Sequence, residues 1–381
     1  QATERVKTLS GSWSAAELPH RVSQKYVEAV LRRHAAALPG IGVHYGWRLV
    51  SFIDRGTHVE ATVERIADGE RRSLRAAFLA GVDGARSTVR QQLGIRYGGE
   101  TGIVRDFMGG RMYAIYLRAP RFYEAVGHAP AWMNVTVNRD RRAFMAAVDG
   151  KSEFAFHTQL RAGEDEHQVS ADEARHMFER AVGKPIDVEI LSVDAWTAGH
   201  ALVAERFQAG RVFLAGDAVH LFTPTGGLGY NTAVDDAVNL AWKLAAVLKR
   251  GASARLLESY EAERRPLAIR NTGYARKFAD SLGLWVPPEE LEAPSEQGEA
   301  ARRIAGEYFN AHARAEFNIP GITFGGRYDG SPIIVGDGSV PPPDAANSYV
   351  PTACPGGRAP HAWLPDGRSL FDRFGFEWTL L

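Results

Sequence analysis

The chain has 381 residues, 45% hydrophobic and 24% charged, an ordinary globular balance with length for about two or three domains. Lys+Arg and Asp+Glu both number 45, so the formal net charge is zero, which argues against broad affinity for nucleic acid or an anionic membrane surface. The single cysteine, Cys354, excludes an intramolecular disulfide and a cysteine metal cluster and fits a reducing, cytoplasmic compartment; no apolar stretch reaches the roughly 18 residues of a membrane-spanning helix.

In chain order, residues 20–38 read as a helix with Val27, Val30, Leu31 and Leu38 on one face and Gly40 after its end. Strand-like runs follow at 47–53 and 57–66. A third apolar run, Leu74–Val82, stops at Asp83-Gly84. A short helix from Ser87 to Leu93 comes next, with Ser87 as its cap and Gly94 as its stop. Between 111 and 160 the runs GRMYAIYLRA, AWMNVTVN, AFMAAVDG and EFAFHTQL alternate with turn signals at NRDRR and Asp149-Gly150, the pattern of an antiparallel sheet. Ser170-x-x-Glu173 is a capping box that opens a helix of about twelve residues, closed near Gly183-Lys184-Pro185. A strand at 186–196 leads to a second apolar run, Val212 to Ala215, which stops at Gly216-Asp217.

Residues 232–250 form the clearest helical pattern, with Val234, Ala237, Val238, Ala241, Leu244, Ala245 and Leu248 at helical spacing. Asp235 and Asp236 stand near its start, Lys249 and Arg250 at its end, as the helix dipole favours. The stretches 285–298 and 336–360 read as linkers on either side of a helix at 299–314. Residues from 358 onward resemble the first strand-turn-strand of a further domain. The chain opens on Gln1 without Met and stops in GFEWTLL, a strand-like run, so parts of the native protein are expected to lie outside it at both ends.

The common phosphate and hydrolase motifs fail. Gly40-Ile41-Gly42 has Tyr45 where a third glycine belongs, and Gly150-Lys151-Ser152 has Met145 where a P-loop begins. No H-E-x-x-H, clustered metal-ligand set or G-x-S-x-G occurs, so no metal is expected. What remains is a pair: FLAGVDGARSTVR (78–90) and FLAGDAVHLFTPTGGLGYN (213–231) each run an apolar strand into an Asp beside a Gly. A carboxylate at a strand's carboxyl end faces the crevice where α/β proteins bind ligands, and the Gly lets the backbone come close.

These residues resemble the class A flavin-dependent aromatic hydroxylases, the para-hydroxybenzoate hydroxylase-like flavoproteins. The resemblance is carried by Asp83-Gly84-Ala85-Arg86-Ser87-x-x-Arg90, by Gly216-Asp217-Ala218-x-His220, and by Pro224-x-Gly226-Gly227-x-Gly229-x-Asn231. Asp236-Ala237-x-Asn239-Leu240-x-Trp242-Lys243-Leu244 and Tyr260-Glu261-x-Glu263-Arg264-Arg265-Pro266 extend it. PGGRAPHAWL (355–364) is similar to the phenol and dichlorophenol hydroxylase branch, shared with polyketide-tailoring hydroxylases.

The resemblance implies an α/β (α+β) fold: a Rossmann-like FAD-binding domain at 1–100 and 201–284, an inserted antiparallel substrate sheet at 101–200, a helical and linker region at 285–355, and the start of a thioredoxin-like domain at 356–381. The N-terminal G-x-G-x-x-G unit of that family is absent from the chain. FAD is the implied cofactor and NAD(P)H and O2 the implied co-substrates, with a phenolic or polycyclic aromatic hydroxylated through a flavin C4a-hydroperoxide; a homodimer is common in the family. Gln24, Asp83, Arg90, Gly216, Asp217, Pro224, Gly227, Gly229, Tyr230 and Asn231 are the implied cofactor contacts, with Pro224, Thr225, Gly226 and Gly227 facing the flavin ring. His220 is read as a structural hydrogen-bonding group. Tyr113, Tyr116, Trp132, Met133, Phe144 and Phe156 are the candidates for the substrate pocket, of which strand alternation lets about half face it. No acid-base side chain stands out. The rival readings are a flavoprotein that remodels its substrate without net hydroxylation and a noncatalytic flavin- or ligand-binding paralogue; the W-x-W-x-I-P signature of flavin halogenases is missing.

Overall fold

The structure, a computed structural model, describes residues 13–101, 105, 107–165, 169–375 and 378–380. The first helical pattern forms α1 (Gln24–Ala37). Strands β1 (Trp47–Asp54), β2 (Val59–Arg65) and β3 (Arg71–Ala76) make an antiparallel meander. The apolar run expected over Leu74–Val82 is divided: its first residues end the fully exposed β3, and only β4 (Leu79–Gly81) runs toward Asp83. Phe78 breaks the run by turning edge-on to Phe213 at 5.9 Å. Helix α2 (Thr88–Gln92) begins at Ser87, whose Oγ accepts the Arg90 N–H at 2.9 Å. Strand β5 (Tyr97–Glu100) follows.

The β-rich segment supplies β6 (Gly110–Arg118), the short helix α3 (Phe122–Val126), β7 (Met133–Thr136), β8 (Ala143–Ala147) and β9 (Glu153–Gln159). Helix α4 (Ala171–Val182) carries both bonds of its capping box, and β10 (Glu189–Ala198) returns to the same sheet. The order is β10-β6-β9-β8-β7, antiparallel throughout. Side chains alternate across it. One face, with Tyr113, Ile115, Leu117, Met145, Phe154 and Phe156, packs on Ala174, Met177 and Phe178 of α4. The register places Met112, Tyr116, Phe144, His157 and Trp196 on the other face.

Next come β11 (Ala201–Ala204), β12 (Gln208–Ala209), β13 (Val212–Leu214) and β14 (His220–Leu221). The chain then forms α5 (Leu228–Arg250), α6 (Glu258–Gly283), α7 (Glu296–Phe317) and α8 (Pro320–Phe324). Strand β13 pairs parallel with β4, Leu214 opposite Gly81. A Cβ on Gly81 would stand 2.6 Å from Val89 Cβ, so glycine is what lets α2 lie against this strand.

Two expectations change here. The apolar face read on α1 is not its buried face: the helix buries no residue, and Val30, Leu31 and Leu38 are exposed. Likewise α5 exposes Val234, Val238 and Leu248 and instead buries Thr232, Asp236, Asn239, Leu240 and Lys243. The reason is that α6 offers α5 a charged partner surface, Glu263 and Arg264, which polar side chains satisfy better than apolar ones. Of the expected linkers, 285–298 contains a 3-10 turn, Glu289–Glu292, and the start of α7, while 336–360 is without regular elements. Among the described residues of the C-terminal end, a bridge, Trp363 to Ser369, and a 3-10 turn, Leu370–Arg373, stand in place of the strand-turn-strand; residues 376, 377 and 381 of the expected final run lie outside the described residues. No helix among the described residues is long and apolar enough to cross a membrane.

Candidate functional site

Because β4 and β13 are parallel neighbours, the two Asp-Gly motifs open on the same sheet edge. Arg90 ties them together. Its Nη1 donates to Ala85 O at 3.2 Å, to Ala218 O at 3.2 Å and to Tyr97 Oη at 2.8 Å. Tyr97 in turn donates to Asp217 O at 2.5 Å. Burial pushes the Tyr97 pKa up to about 12, so its hydroxyl keeps the donated proton. Tyr97 escaped the sequence reading because it lies outside both motifs.

The two carboxylates differ. Asp83 accepts from Ser87 Oγ at 2.5 Å and from Val89 N at 3.1 Å, so both its oxygens cap the turn into α2. The exposed Asp217 side chain accepts no hydrogen bond from any described residue. Gly216 N–H is held at 3.1 Å by the buried Asp236, which also takes His220 Nε2 at 2.7 Å and Arg264 Nε at 2.8 Å. Burial alone would raise the Asp236 pKa; the His220 bond and the Arg264 guanidinium outweigh it and hold the pKa below the usual carboxylate range. Below this, Glu263 gathers Asn239, Lys243 and Ser331 at 2.5–2.7 Å. His220 has the structural role expected of it.

Past Gly216-Asp217, the loop Pro224-Thr225-Gly226-Gly227 leads into α5. Gly226 and Gly227 have φ of +71° and +64°, which other L-residues rarely adopt. The loop is pinned from two sides: Thr225 Oγ1 donates to Ala275 O on α6 at 2.6 Å, and Gly226 N–H donates to Glu316 Oε1 on α7 at 2.8 Å. Glu316 pairs through its other oxygen with His312 Nε2 at 2.8 Å. Glu316 lies 90 residues beyond the glycine it holds, and nothing in its surroundings in sequence marks it.

No side chain caps the start of α5; the 3-10 turn Thr225–Gly227 takes up the Gly227 N–H at Pro224 O, at 3.2 Å, and the N–H groups of the first turn of this 23-residue helix have no side-chain acceptor. A Cβ on Gly227 would meet nothing within 4 Å, and Asp217, Pro224, Tyr230 and Asn231 are exposed beside it. This donor set, a free carboxylate for hydroxyl groups and a bare helix start beneath a two-glycine shelf, fits the ribityl chain and flat ring of FAD. Gln24 is exposed on α1 and, among the described residues, bonded only to Glu28, at 2.8 Å.

The sheet face opposite α4 closes the other side. Lys25 of α1 reaches Tyr116 Oη at 2.8 Å and Glu153 at 3.3 Å. Trp132 stands edge-on to Phe317 of α7 at 5.6 Å, and the Arg21 guanidinium lies 3.9 Å from the Trp132 ring centre. Tyr116, Met133 and Phe144 share the sheet face that borders the cleft with α1 and α7, and Trp132 reaches Phe317 from the sheet edge. Tyr113 and Phe156 do not: both are fully buried against α4, because their strand parity is opposite. His157 and Trp196, not singled out from sequence, take the cleft-facing places instead. At the sheet end near Gly109-Gly110 lies a cavity of about 510 Å³ lined by Arg105, Arg141, Arg142 and Arg161 among others. Arg105 is paired with Asp280, Arg141 with Glu164, and Arg142 with the Leu282 and Trp285 carbonyls.

A family model described as FAD binding domain matches residues 2–274. A putative polyketide hydroxylase of Streptomyces halstedii is 33% identical over 352 residues, covering 90% of this chain and 57% of the relative. The FAD-dependent monooxygenase opdD of Penicillium oxalicum is 30% identical over 395 residues, covering the whole chain and 74% of the relative. Among solved structures, the rebeccamycin biosynthetic enzyme RebC with reduced flavin superimposes with a TM-score of 0.80 at 32% identity, over 97% of this chain and 66% of that one. The chain thus spans under three fifths of the length of the Streptomyces relative.

Proposed function

Since the chain belongs to the FAD binding domain family, we propose that the protein it comes from is an FAD-dependent monooxygenase that hydroxylates a phenolic or polycyclic aromatic compound with NAD(P)H and O2. The observation that carries this reading is the donor set itself: the unpartnered Asp217, the left-handed glycine shelf and the start of α5 without a side-chain cap stand together, and α7, which holds the shelf through Glu316, meets Trp132 at the sheet edge through Phe317. When bound, FAD supplies the redox chemistry, accepting a hydride equivalent from the nicotinamide and activating O2.

The protein's own contributions follow from its residues. Asp217 would accept hydrogen bonds from ribityl hydroxyls, and Arg90 with Tyr97 holds its backbone in place. Pro224, Thr225, Gly226 and Gly227 would form the shelf for the ring, and the N–H groups at Gly229 and Tyr230, ahead of the first intrahelical bond, would stabilise negative charge at its edge. On the family resemblance, Gln24 would contact the phosphate and ribityl portion. Asp83 acts at one remove, by shaping the turn that presents Arg90. The sheet, α1 and α7 exclude water from the ring that is oxidised. A homodimer belongs to the same proposal on the family resemblance, and a cytoplasmic location on the single cysteine.

The test is to purify the full-length protein, record its flavin spectrum, and follow NAD(P)H oxidation under isotopically labelled O2 with phenolic compounds. A yellow protein that transfers one labelled oxygen atom into product is expected. A colourless protein that gains no flavin on reconstitution overturns the assignment; product without label replaces hydroxylation by oxidative remodelling.

A further inference from the structure

The cleft-facing side of the sheet carries a histidine with one ring nitrogen already committed. Trp196 Nε1 lies 3.2 Å from His157 Nδ1. An indole N–H can only donate, so Nδ1 must accept, and in the neutral ring the proton sits on Nε2. Phe144 stacks on the imidazole with ring centres 4.5 Å apart and planes 13° apart, and Trp196 meets it edge-on at 5.8 Å. Tautomer and ring plane are therefore both fixed. Burial lowers the His157 pKa to about 4, so the ring is neutral at physiological pH. Among the described residues nothing bonds to Nε2, yet it is not one of the buried polar atoms sealed from solvent, as Nδ1 of His220 is.

We propose that His157 orients the substrate: its Nε2–H donates to an oxygen on the aromatic ring system, a phenol, phenolate or ring carbonyl oxygen, and so selects oxygenated rings over bare hydrocarbons. This rests on the reading of the cleft as an aromatic-substrate site. The geometry also fixes what His157 does not do. With the Nδ1 lone pair engaged by Trp196 and the proton on Nε2, the ring has no basic nitrogen to offer the cleft, so it is a donor and not the base that ionises a phenol. Phe144 beside it supplies an apolar contact for the ring plane, and His157 supplies the polar contact that sets which edge points toward the flavin shelf.

The experiment uses the full-length, FAD-loaded enzyme with α-naphthol and naphthalene as probes, their binding read from perturbation of the flavin absorbance. Wild type is expected to prefer α-naphthol. His157→Phe keeps the flat ring but removes the donor; it should weaken α-naphthol binding about ten- to hundredfold while leaving naphthalene within about twofold. His157→Gln, which returns an N–H near the Nε2 position, should recover most of the loss. An unchanged preference in His157→Phe, or equal binding of the two probes by wild type, overturns the role of His157 while the cleft reading stands. Binding of neither probe removes both. Nitrogen NMR of the unaltered protein gives a reading that needs no variant: His157 should show an unprotonated Nδ1 and an Nε2–H resonance that moves when α-naphthol is added, and a resonance that does not move overturns the proposal.

Discussion

Asp83 and Asp217 end neighbouring parallel strands, each beside a glycine, and the fold uses them in opposite ways. Asp83 turns both oxygens inward, to Ser87 Oγ and Val89 N, and becomes the cap of α2. Asp217 leaves its carboxylate exposed and engages only its backbone carbonyl, through Tyr97. What separates them lies downstream. Asp83 is followed four residues later by a serine at a helix N-terminus, whose free N–H groups attract a carboxylate. After Asp217 the chain enters β14, and the nearest helix start, at Leu228, lies beyond a rigid loop. A sequence motif thus marks where a carboxylate will stand at a strand end, and the next element decides whether it is consumed by the fold or left for a ligand.

The largest effect should come from removing what holds the Asp217 turn. Asp236→Ala strips Gly216 N–H, His220 and Arg264 of their common acceptor and leaves a buried guanidinium without its carboxylate. Such losses cost about 3–5 kcal/mol, measurable as a fall in urea midpoint. Acid should reproduce it in part. The folded pKa of Asp236 is depressed, so the unfolded chain takes up this proton at higher pH than the folded one. The stabilisation is then complete above about pH 4 and is lost as pH falls through the depressed value. Urea unfolding from neutral pH down to about pH 3 should show this slope in wild type and a weaker one in Asp236→Asn.

Asp217→Ala comes next and should separate the two carboxylates most plainly. Its side chain supports nothing in the described fold, so stability should stay within about 0.5 kcal/mol. FAD affinity should fall about ten- to hundredfold through loss of charge-assisted hydrogen bonds. Thermal unfolding of the apoprotein and titration by flavin fluorescence measure the two quantities separately.

How far the sequence carries this site depends on periodicity and distance. The strand-to-Asp motifs, the capping box at Ser170 and the Asp149-Gly150 turn are local patterns, and each has local structure to match: Asp149 Oδ1 alone accepts three consecutive N–H groups, from Lys151, Ser152 and Glu153. In the substrate sheet, period-two alternation implies that only half of the aromatic residues face the cleft. Which half depends on where α4 packs, and no run of sequence states that; hence Tyr113 and Phe156 fall in the core and His157 on the opposite face. On α5 the apolar spacing misleads, because burial is decided by charged partners on α6 that lie 20–28 residues away. Glu316, holding Gly226 from another helix, is beyond any local signal.

Smaller effects test the inward-turned carboxylate and the link between the motifs. Asp83→Ala should cost about 1–2 kcal/mol, the usual loss for a helix cap, seen in the melting temperature, with FAD affinity changed less than in Asp217→Ala. A larger effect on FAD than on stability would mean that Asp83 also serves the ligand. Tyr97→Phe is the mildest change. It removes the hydroxyl that accepts from Arg90 and donates to Asp217 O, yet keeps the ring under the guanidinium, whose Cζ lies 3.9 Å from the ring centre. Arg90 retains its bonds to Ala85 O and Ala218 O, so the turn should persist and the cost should be about 1 kcal/mol. Because the lost bond is to the backbone of Asp217, FAD binding should weaken only a few-fold. Hydrogen exchange should speed up at Ala218 and Val219 before it does at Val89, since the Asp83 cap on α2 does not pass through Tyr97.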